Sequence, residues 1–225
     1  MDPQRLDKTQ WPQVGLIRSY FTTLNGWYAI GTGTLIHPRA ILTAAHVIFD
    51  PTRSGLPTKF EMVFGGGASA AALGTNGRIL QEWKDENRLN PLSPFDLGVI
   101  LLDPTNTVNG VTPANFFASM NTDLFNHNTD VVGYPIRSDF YNDLALAGGV
   151  SLSIDMGSPW DAHRVAYQTV SLEGMSGGPV YRQDELSTVI NVRAVNTSIV
   201  NGLGNGLIIC SALVAWIAKW LEEVS

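Results

Sequence analysis

Glu173-Gly174-Met175-Ser176-Gly177-Gly178-Pro179 contains the pattern Gly-x-Ser-Gly-Gly-Pro and leads into an apolar pair, Val180-Tyr181. A serine hydroxyl is a weak nucleophile at neutral pH unless a base removes its proton and backbone N–H groups hold the oxyanion that develops. Glycines let the backbone turn tightly and direct N–H groups inward. The stretch therefore predicts Ser176 as a nucleophile, with the N–H groups of Gly174 and Ser176 as an oxyanion hole.

A base and an acid precede this serine in the chain. His46 ends the motif Thr43-Ala44-Ala45-His46, which follows a short apolar run, and Asp96 stands at the start of the apolar run Leu97–Leu102. A buried acid needs a partner, which favours Asp96 as the group that orients the His46 imidazole. The chain order His46, Asp96, Ser176 is one of the known orders of a catalytic triad, with the histidine as general base.

Each of these residues also has a purely structural interpretation. Ser176 could stand in a glycine-rich hairpin turn, His46 at the surface start of a helix, and Asp96 at an N-cap. Three motifs in the right order favour the triad over three coincidences. The remaining histidines stand in turns or polar loops, at His37, His127 and His163.

The composition is that of a globular chain, with 44% apolar and 15% charged residues among 225. The net charge of −6 argues against a general nucleic-acid binder, which usually presents a basic face. The longest apolar stretch, near residues 207–217, is too short to span a bilayer. The sequence contains no His-Glu-x-x-His or Cys-x-x-Cys pattern. We therefore predict no metal, no cofactor, no nucleic-acid partner and no membrane partner.

Cys210 is the single cysteine, so no intramolecular disulfide can form, and its apolar neighbours predict a small buried residue. The N-terminal residues Met1-Asp2-Pro3-Gln4-Arg5 contain no apolar segment of the kind found in signal peptides. The expected location is the cytoplasm, and the alternative is secretion with the export segment removed.

Many short apolar runs separated by turn residues predict an all-β barrel or sandwich. Strands are predicted over Lys59–Phe64 and Gly77–Trp83, among others, and residues 1–10 are expected to form a loose lead-in. The end of the chain is different, because its apolar residues follow one helix face, predicted to pack on the second half of the chain. These residues are Leu213, Trp216, Ile217, Trp220, Leu221 and Val224.

The three motifs together resemble those of the chymotrypsin-fold serine endopeptidases, and within them the bacterial glutamyl endopeptidase (V8-like) branch. The resemblance implies an all-β domain, residues 1–225, of two antiparallel six-stranded β-barrels and a C-terminal α-helix. It places His46 and Asp96 on the first barrel and Ser176 on the second. The expected parts are a first barrel over 11–103, a linker over 104–125, a second barrel over 126–210 and a helix over 211–224.

The resemblance also implies substrate-binding residues. In the V8-like branch a hydroxyl residue five positions before the nucleophile contributes to the side-chain pocket, and Ser171 matches it. Asn196 stands where that branch has a histidine, and asparagine carries no positive charge. Glu173, expected at the pocket rim, also disfavours an acidic substrate side chain. Because position 170 is Val170, basic specificity through an acid there is not predicted either, and a neutral polar or small residue is expected.

The predicted function is hydrolysis of polypeptide substrates by a serine endopeptidase, through the triad and an acyl-enzyme intermediate. One alternative is a protease-fold peptide-binding protein, or a zymogen-like form that is inactive until a regulatory partner or N-terminal processing assembles the site. The other alternative is an esterase. Esterases with Gly-x-Ser-x-Gly motifs usually have the histidine after the serine and many long helices, and this sequence has neither.

Overall fold

The computed structural model shows a mostly β protein, in which the two large sheets are antiparallel. It describes residues 4–22, 28–53, 55–65, 71–85, 92–119, 124, 127–136, 143–154, 164–168, 172–183 and 189–225. The strands in these ranges are β1 (Gln4–Arg5), β2 (Val14–Tyr20), β3 (Tyr28–His37), β4 (Ala40–Thr43), β5 (Lys59–Phe64), β6 (Ala71–Ile79), β7 (Gly98–Leu102), β8 (Asn115–Phe116), β9 (Asn128–Gly133), β10 (Ala145–Ile154), β11 (Arg164–Tyr167), β12 (Pro179–Arg182), β13 (Asn191–Val192), β14 (Ala194–Val200) and β15 (Leu203–Ile208). The α-helices whose bounds are described are α1 (Ala45–Ile48), α2 (Gln81–Asp85) and α3 (Ser211–Leu221).

The first barrel is a closed ring of six strands in the order β2-β3-β4-β7-β6-β5, and β5 pairs again with β2. Its interior contains fully buried branched and aromatic side chains, which suit a strongly curved sheet. Examples are Ile17, Leu35, Ile41, Phe60 and Ile100. The prediction of a barrel in this part of the chain is confirmed.

The second barrel runs β9-β10-β11-β15-β14-β12 and closes where β12 pairs with β9. Its own apolar cluster includes Val131, Val165, Met175 and Val180. The two-barrel architecture with a C-terminal helix is therefore as predicted. The limits predicted for the barrels and the linker stay a prediction, and the ring strands lie within 14–102 and 128–208.

The N-terminal segment is not the loose lead-in that the sequence suggested. Gln4 pairs with Leu146 and Arg5 with Ala145, so β1 adds a strand to β10 of the second barrel. Arg5 also forms a 3.1 Å ion pair with Asp143. An edge of β10 offers unpaired backbone groups, and these can recruit a strand whose own sequence is polar.

The helix α3 buries Leu213, Ile217 and Trp220, which repeat at the spacing of one helix face. The polar contacts just beyond it are with the first barrel, and the predicted packing of its apolar face on the second barrel stays a prediction. The Arg39 guanidinium donates a 3.2 Å hydrogen bond to the Val224 carbonyl, and Arg78 Nε donates one of 3.0 Å to Glu223. Because α3 follows β15 of the second barrel, these bonds connect the end of the chain to the first barrel.

Within the described ranges, none of the helices combines the length and the apolar character needed to cross a membrane.

Candidate active site

His46 and Asp96 meet at one end of the first barrel. His46 lies in the single helical turn α1, directly after β4, and Asp96 lies just before β7. The backbone N–H of His46 donates a 3.0 Å hydrogen bond to Asp96 Oδ1, and the imidazole Nδ1 lies 2.8 Å from Oδ2. Because an ionised carboxylate only accepts hydrogen bonds, Nδ1 carries a proton and Nε2 of the neutral ring is the acceptor.

Asp96 is only 4% exposed, so its ionisation depends on its neighbours. Burial by itself would raise the pKa of Asp96, but the charge of His46, its two hydrogen bonds and the charge of Arg164 outweigh that effect. The net result is a pKa below the ordinary value of an aspartate. The carboxylate therefore stays ionised at neutral pH and holds the imidazole in one orientation.

Ser176 lies on a tight turn between Met175 and β12. Its hydroxyl donates a long hydrogen bond of 3.5 Å to the carbonyl of Thr197 on β14. Gly174 and Gly177 on either side have φ values of +92° and +87°, a region that favours glycine. These two glycines allow the turn that presents the Ser176 side chain at the surface of the second barrel.

Thr32 connects this turn to the first barrel. Its N–H donates a 2.7 Å hydrogen bond to the Ser176 carbonyl, and its hydroxyl donates one of 2.9 Å to the Gly174 carbonyl. The same hydroxyl accepts a 2.9 Å hydrogen bond from the Tyr134 N–H. These bonds bring the barrel that carries His46 and Asp96 against the loop that carries Ser176.

The carbonyl groups of the turn are directed into the protein. The Glu173 carbonyl accepts a 2.7 Å hydrogen bond from the Ile136 N–H, and the Met175 carbonyl accepts bonds from the Gly178 N–H and from Asn196 Nδ2. A trans peptide carries its C=O and N–H in opposite directions. The N–H groups of Gly174 and Ser176 therefore face away from these interior acceptors.

The predicted substrate-binding residues are placed differently from one another. Glu173 is exposed, and Ser171 lies outside the described residues. Asn196 is 1% exposed, and it donates from Nδ2 to the Met175 carbonyl and accepts the Tyr167 hydroxyl. Its N–H and C=O also pair with Gly178 and Gly177. Asn196 thus supports the nucleophile turn, and its role toward substrate stays a prediction.

Sequence reasoning did not identify Thr32, Thr197 or Arg164. Arg164 is fully buried and donates a 2.6 Å hydrogen bond from Nη1 to the Ser93 carbonyl and another from Nη2 to the Thr197 hydroxyl. None of the three belongs to a local motif. The one available signal was a charged residue at the start of an apolar strand pattern, which is unusual inside a barrel.

Crowding at Gly177 leads to a testable prediction. A Cβ atom there would lie 2.1 Å from both the Thr32 carbonyl oxygen and the Thr43 hydroxyl oxygen. We expect Gly177→Ala to lower the free energy of unfolding by about 2–4 kcal/mol, through overpacking added to backbone strain. Urea unfolding followed by circular dichroism measures the change.

Gly202→Ala is the matched control, because Gly202 also has a positive φ, +76°, but nothing lies within 4 Å of the Cβ position. Only the backbone cost, about 1 kcal/mol, is expected there. Equal losses in the two variants would show that the contact between the turn and the first barrel is not tight.

Among the described residues, no group of three or more His, Cys, Asp or Glu side chains is placed to hold a metal ion.

Comparison with known proteins agrees with the fold. The model of the trypsin-like peptidase domain matches residues 31–189. A glutamyl endopeptidase in complex with MPD superposes with a TM-score of 0.76 at 22% identity, covering 96% of this chain and 95% of that one. The protease Anisep from Arthrobacter nicotinovorans gives a TM-score of 0.69 at 15% identity, covering 95% and 96%.

An inactivated protease paralogue of the scabies mite gives a TM-score of 0.70 at 16% identity, covering 99% of this chain and all of that one. A comparison with curated protein sequences finds no significant match. At these identities the superpositions show the fold alone. The family model covers more than half of the chain, from before His46 to beyond Ser176. The chain therefore belongs to the trypsin-like peptidase domain family.

Proposed function

We propose that this protein is a serine endopeptidase in which Ser176 is the nucleophile, His46 the general base and Asp96 the residue that orients the imidazole. The observation that carries the proposal is the pair of contacts between His46 and the buried Asp96, at 2.8 and 3.0 Å. A carboxylate in this arrangement fixes the ring with Nε2 as the acceptor and stabilises the imidazolium that forms during the reaction.

In the first step, Ser176 Oγ attacks the carbonyl carbon of the scissile peptide bond while its proton passes to His46 Nε2. The carbonyl oxygen becomes an oxyanion, held by the N–H groups of Gly174 and Ser176. The C–N bond then breaks, and His46 gives its proton to the leaving amine. The products of this step are a free amine and an ester between Ser176 and the acyl part of the substrate.

In the second step, water attacks the ester carbonyl and His46 Nε2 takes its proton. The bond between the acyl carbon and Ser176 Oγ breaks, and the proton returns from His46 to Oγ. The acyl part leaves as a carboxylic acid, and the enzyme is restored. Asp96 keeps its charge throughout and compensates the imidazolium twice in each cycle.

The polypeptide substrate is proposed to bind as an extended strand beside β14. Strand β12 pairs with β14 at Ala194 and Val195, near the start of β14. The hydroxyl of Ser176 contacts Thr197, which lies further along β14, beyond these pairs. A strand bound beside this part of β14 would bring its carbonyl to Ser176. A neutral polar or small side chain is proposed at the cleavage position, because exposed Glu173 disfavours an acidic one.

The proposal is tested by labelling with a fluorophosphonate probe, which reacts with an activated serine. We expect the wild type and Ser211→Ala, a control at an exposed serine, to be labelled, and Ser176→Ala to remain unlabelled. Absence of label on folded wild type, or equal labelling of Ser176→Ala, would contradict the proposal. In the first case, peptide binding without cleavage would identify a binding protein with the protease fold.

A further inference from the structure

Arg164 is a buried arginine that touches both parts of the candidate site. It begins β11 in the second barrel and has no exposed surface. Its Nη1 reaches the Ser93 carbonyl at 2.6 Å, in the segment that leads to Asp96. Its Nη2 donates to the Thr197 hydroxyl and lies 3.5 Å from the Ser198 hydroxyl, both on β14. One guanidinium therefore spans the gap between the two barrels.

Each end of this bridge lies close to a residue of the proposed triad. Ser93 precedes Asp96 by one turn, and its hydroxyl accepts a 3.1 Å hydrogen bond from the Phe95 N–H, which makes this segment compact. Thr197 is the residue whose carbonyl accepts the Ser176 hydroxyl. The planar fork of arginine can donate in two directions at fixed angles, which the point charge of a lysine cannot do.

Arg164 also brings a permanent charge into a site with little solvent. The ionisable groups that its charge acts on include Asp96 and Tyr167, and His46 lies next to Asp96. Burial is the largest influence on the pKa of Asp96 and raises it. His46 lowers this pKa, and the charge of Arg164 lowers it further, so that the net pKa lies below the ordinary value. By the same Coulomb interaction, the positive charge of Arg164 repels a positive charge on the His46 imidazole.

We propose that Arg164 is a positioning residue that holds the segment carrying Asp96 against the strand that faces Ser176. Its positive charge also compensates the negative charge of the Asp96 carboxylate beside His46. This inference rests on the proposed function. Arg164 touches no substrate, because it is fully buried, so it acts through its neighbours. Removing its charge and removing its geometry should therefore have separable effects.

Two variants separate charge from geometry. Arg164→Gln removes the charge, and Arg164→Lys keeps the charge without the fork. The titration of His46 is followed by NMR, with its signal assigned by its loss in His46→Gln. We expect the midpoint to be higher in Arg164→Gln than in the wild type, since the imidazolium loses a repelling charge. In Arg164→Lys the midpoint should stay at the wild-type value.

Kinetics on a cleaved peptide test the geometry. Both variants are expected to lose about 10–100-fold in kcat, because displaced reacting groups react slowly. KM should change less than about twofold, because the substrate does not touch Arg164. An unchanged midpoint in Arg164→Gln, or a rise in KM with kcat retained, would overturn the inference.

Arg164→Gln leaves two buried acceptors without a charged donor and risks misfolding. Thr197→Val then decides, because it keeps the charge and removes the hydroxyl that Arg164 contacts. It should lower kcat at an unchanged midpoint, and Thr197→Ser should restore most of the rate. A Thr197→Val enzyme with full kcat would overturn the inference. A wild type that takes no label and cleaves no peptide contradicts the proposed function instead, and the NMR titration still tests the coupling between Arg164 and His46.

Discussion

Ser176→Ala is expected to lower kcat for peptide hydrolysis by about 10⁶-fold, the size of loss seen when a triad nucleophile is removed from a protease. Without Oγ no acyl-enzyme can form, and His46 has no hydroxyl proton to accept. What remains is the rate that substrate binding and the N–H groups of Gly174 and Ser176 can give to direct attack by water. Burst-phase kinetics with an ester substrate measure the loss, because the burst reports acyl-enzyme formation.

The substitution should leave the fold intact, because the Thr32 N–H to Ser176 carbonyl bond of 2.7 Å involves the backbone and is kept, and only the long 3.5 Å bond from the hydroxyl to the Thr197 carbonyl is lost. Equal thermal unfolding midpoints for the variant and the wild type are the control. A variant that retained more than about a thousandth of the wild-type kcat would show that another residue carries the reaction, since loss of the triad nucleophile costs far more.

Asp96→Asn is expected to lower kcat by about 10⁴-fold, as in proteases where this change leaves the geometry intact and reverses the tautomer of the histidine. The structure gives the reason. Oδ1 accepts the His46 backbone N–H, so the asparagine oxygen is retained there and the amide nitrogen faces Nδ1. An N–H donated to Nδ1 places the ring proton on Nε2, which can then no longer act as a base.

The pH dependence of kcat/KM and NMR of the histidine N–H protons measure this change. Asp85→Asn is the matched control, because Asp85 is an exposed carboxylate on α2, and its activity should equal the wild type within about twofold, as expected of a surface substitution. Activity of Asp96→Asn within about tenfold of the wild type would mean that the imidazole is oriented by something other than this carboxylate, given the loss that tautomer reversal causes elsewhere.

The local parts of the fold followed from local patterns in the sequence. The strand over Lys59–Phe64 has the bounds that the sequence predicted, because its apolar period and the turn residues beside it determine them. The sequence also predicted a strand through Trp83. Instead β6 ends at Ile79, and Trp83 is buried from the helix α2. A short apolar run is compatible with both the two-residue period of a strand and the 3.6-residue period of a helix, and tertiary packing decided between them.

The supports of the site could not be predicted in this way. The bond from the Thr32 hydroxyl to the Gly174 carbonyl joins residues 142 positions apart, and no local pattern records such a contact. Arg164 meets Ser93 across the two barrels, 71 positions away. The sequence could propose His46 and Asp96 as a pair because their chemistry is rare and their order is informative, and the two do lie in contact. Thr32 and Arg164 are ordinary residue types whose importance depends on what lies opposite them.

A nascent chain acquires the two parts of the proposed triad at different times. The six strands of the first barrel end at Leu102, so His46 and Asp96 can be in place before residue 176 has been synthesised. The turn at Ser176 needs β14, β15 and the long-range bonds of Thr32, and contacts of such separation form late because of the entropy of closing the loop. On the proposed function, the site for cleaving polypeptide is therefore completed only late in folding, when the strands of the first barrel are already paired.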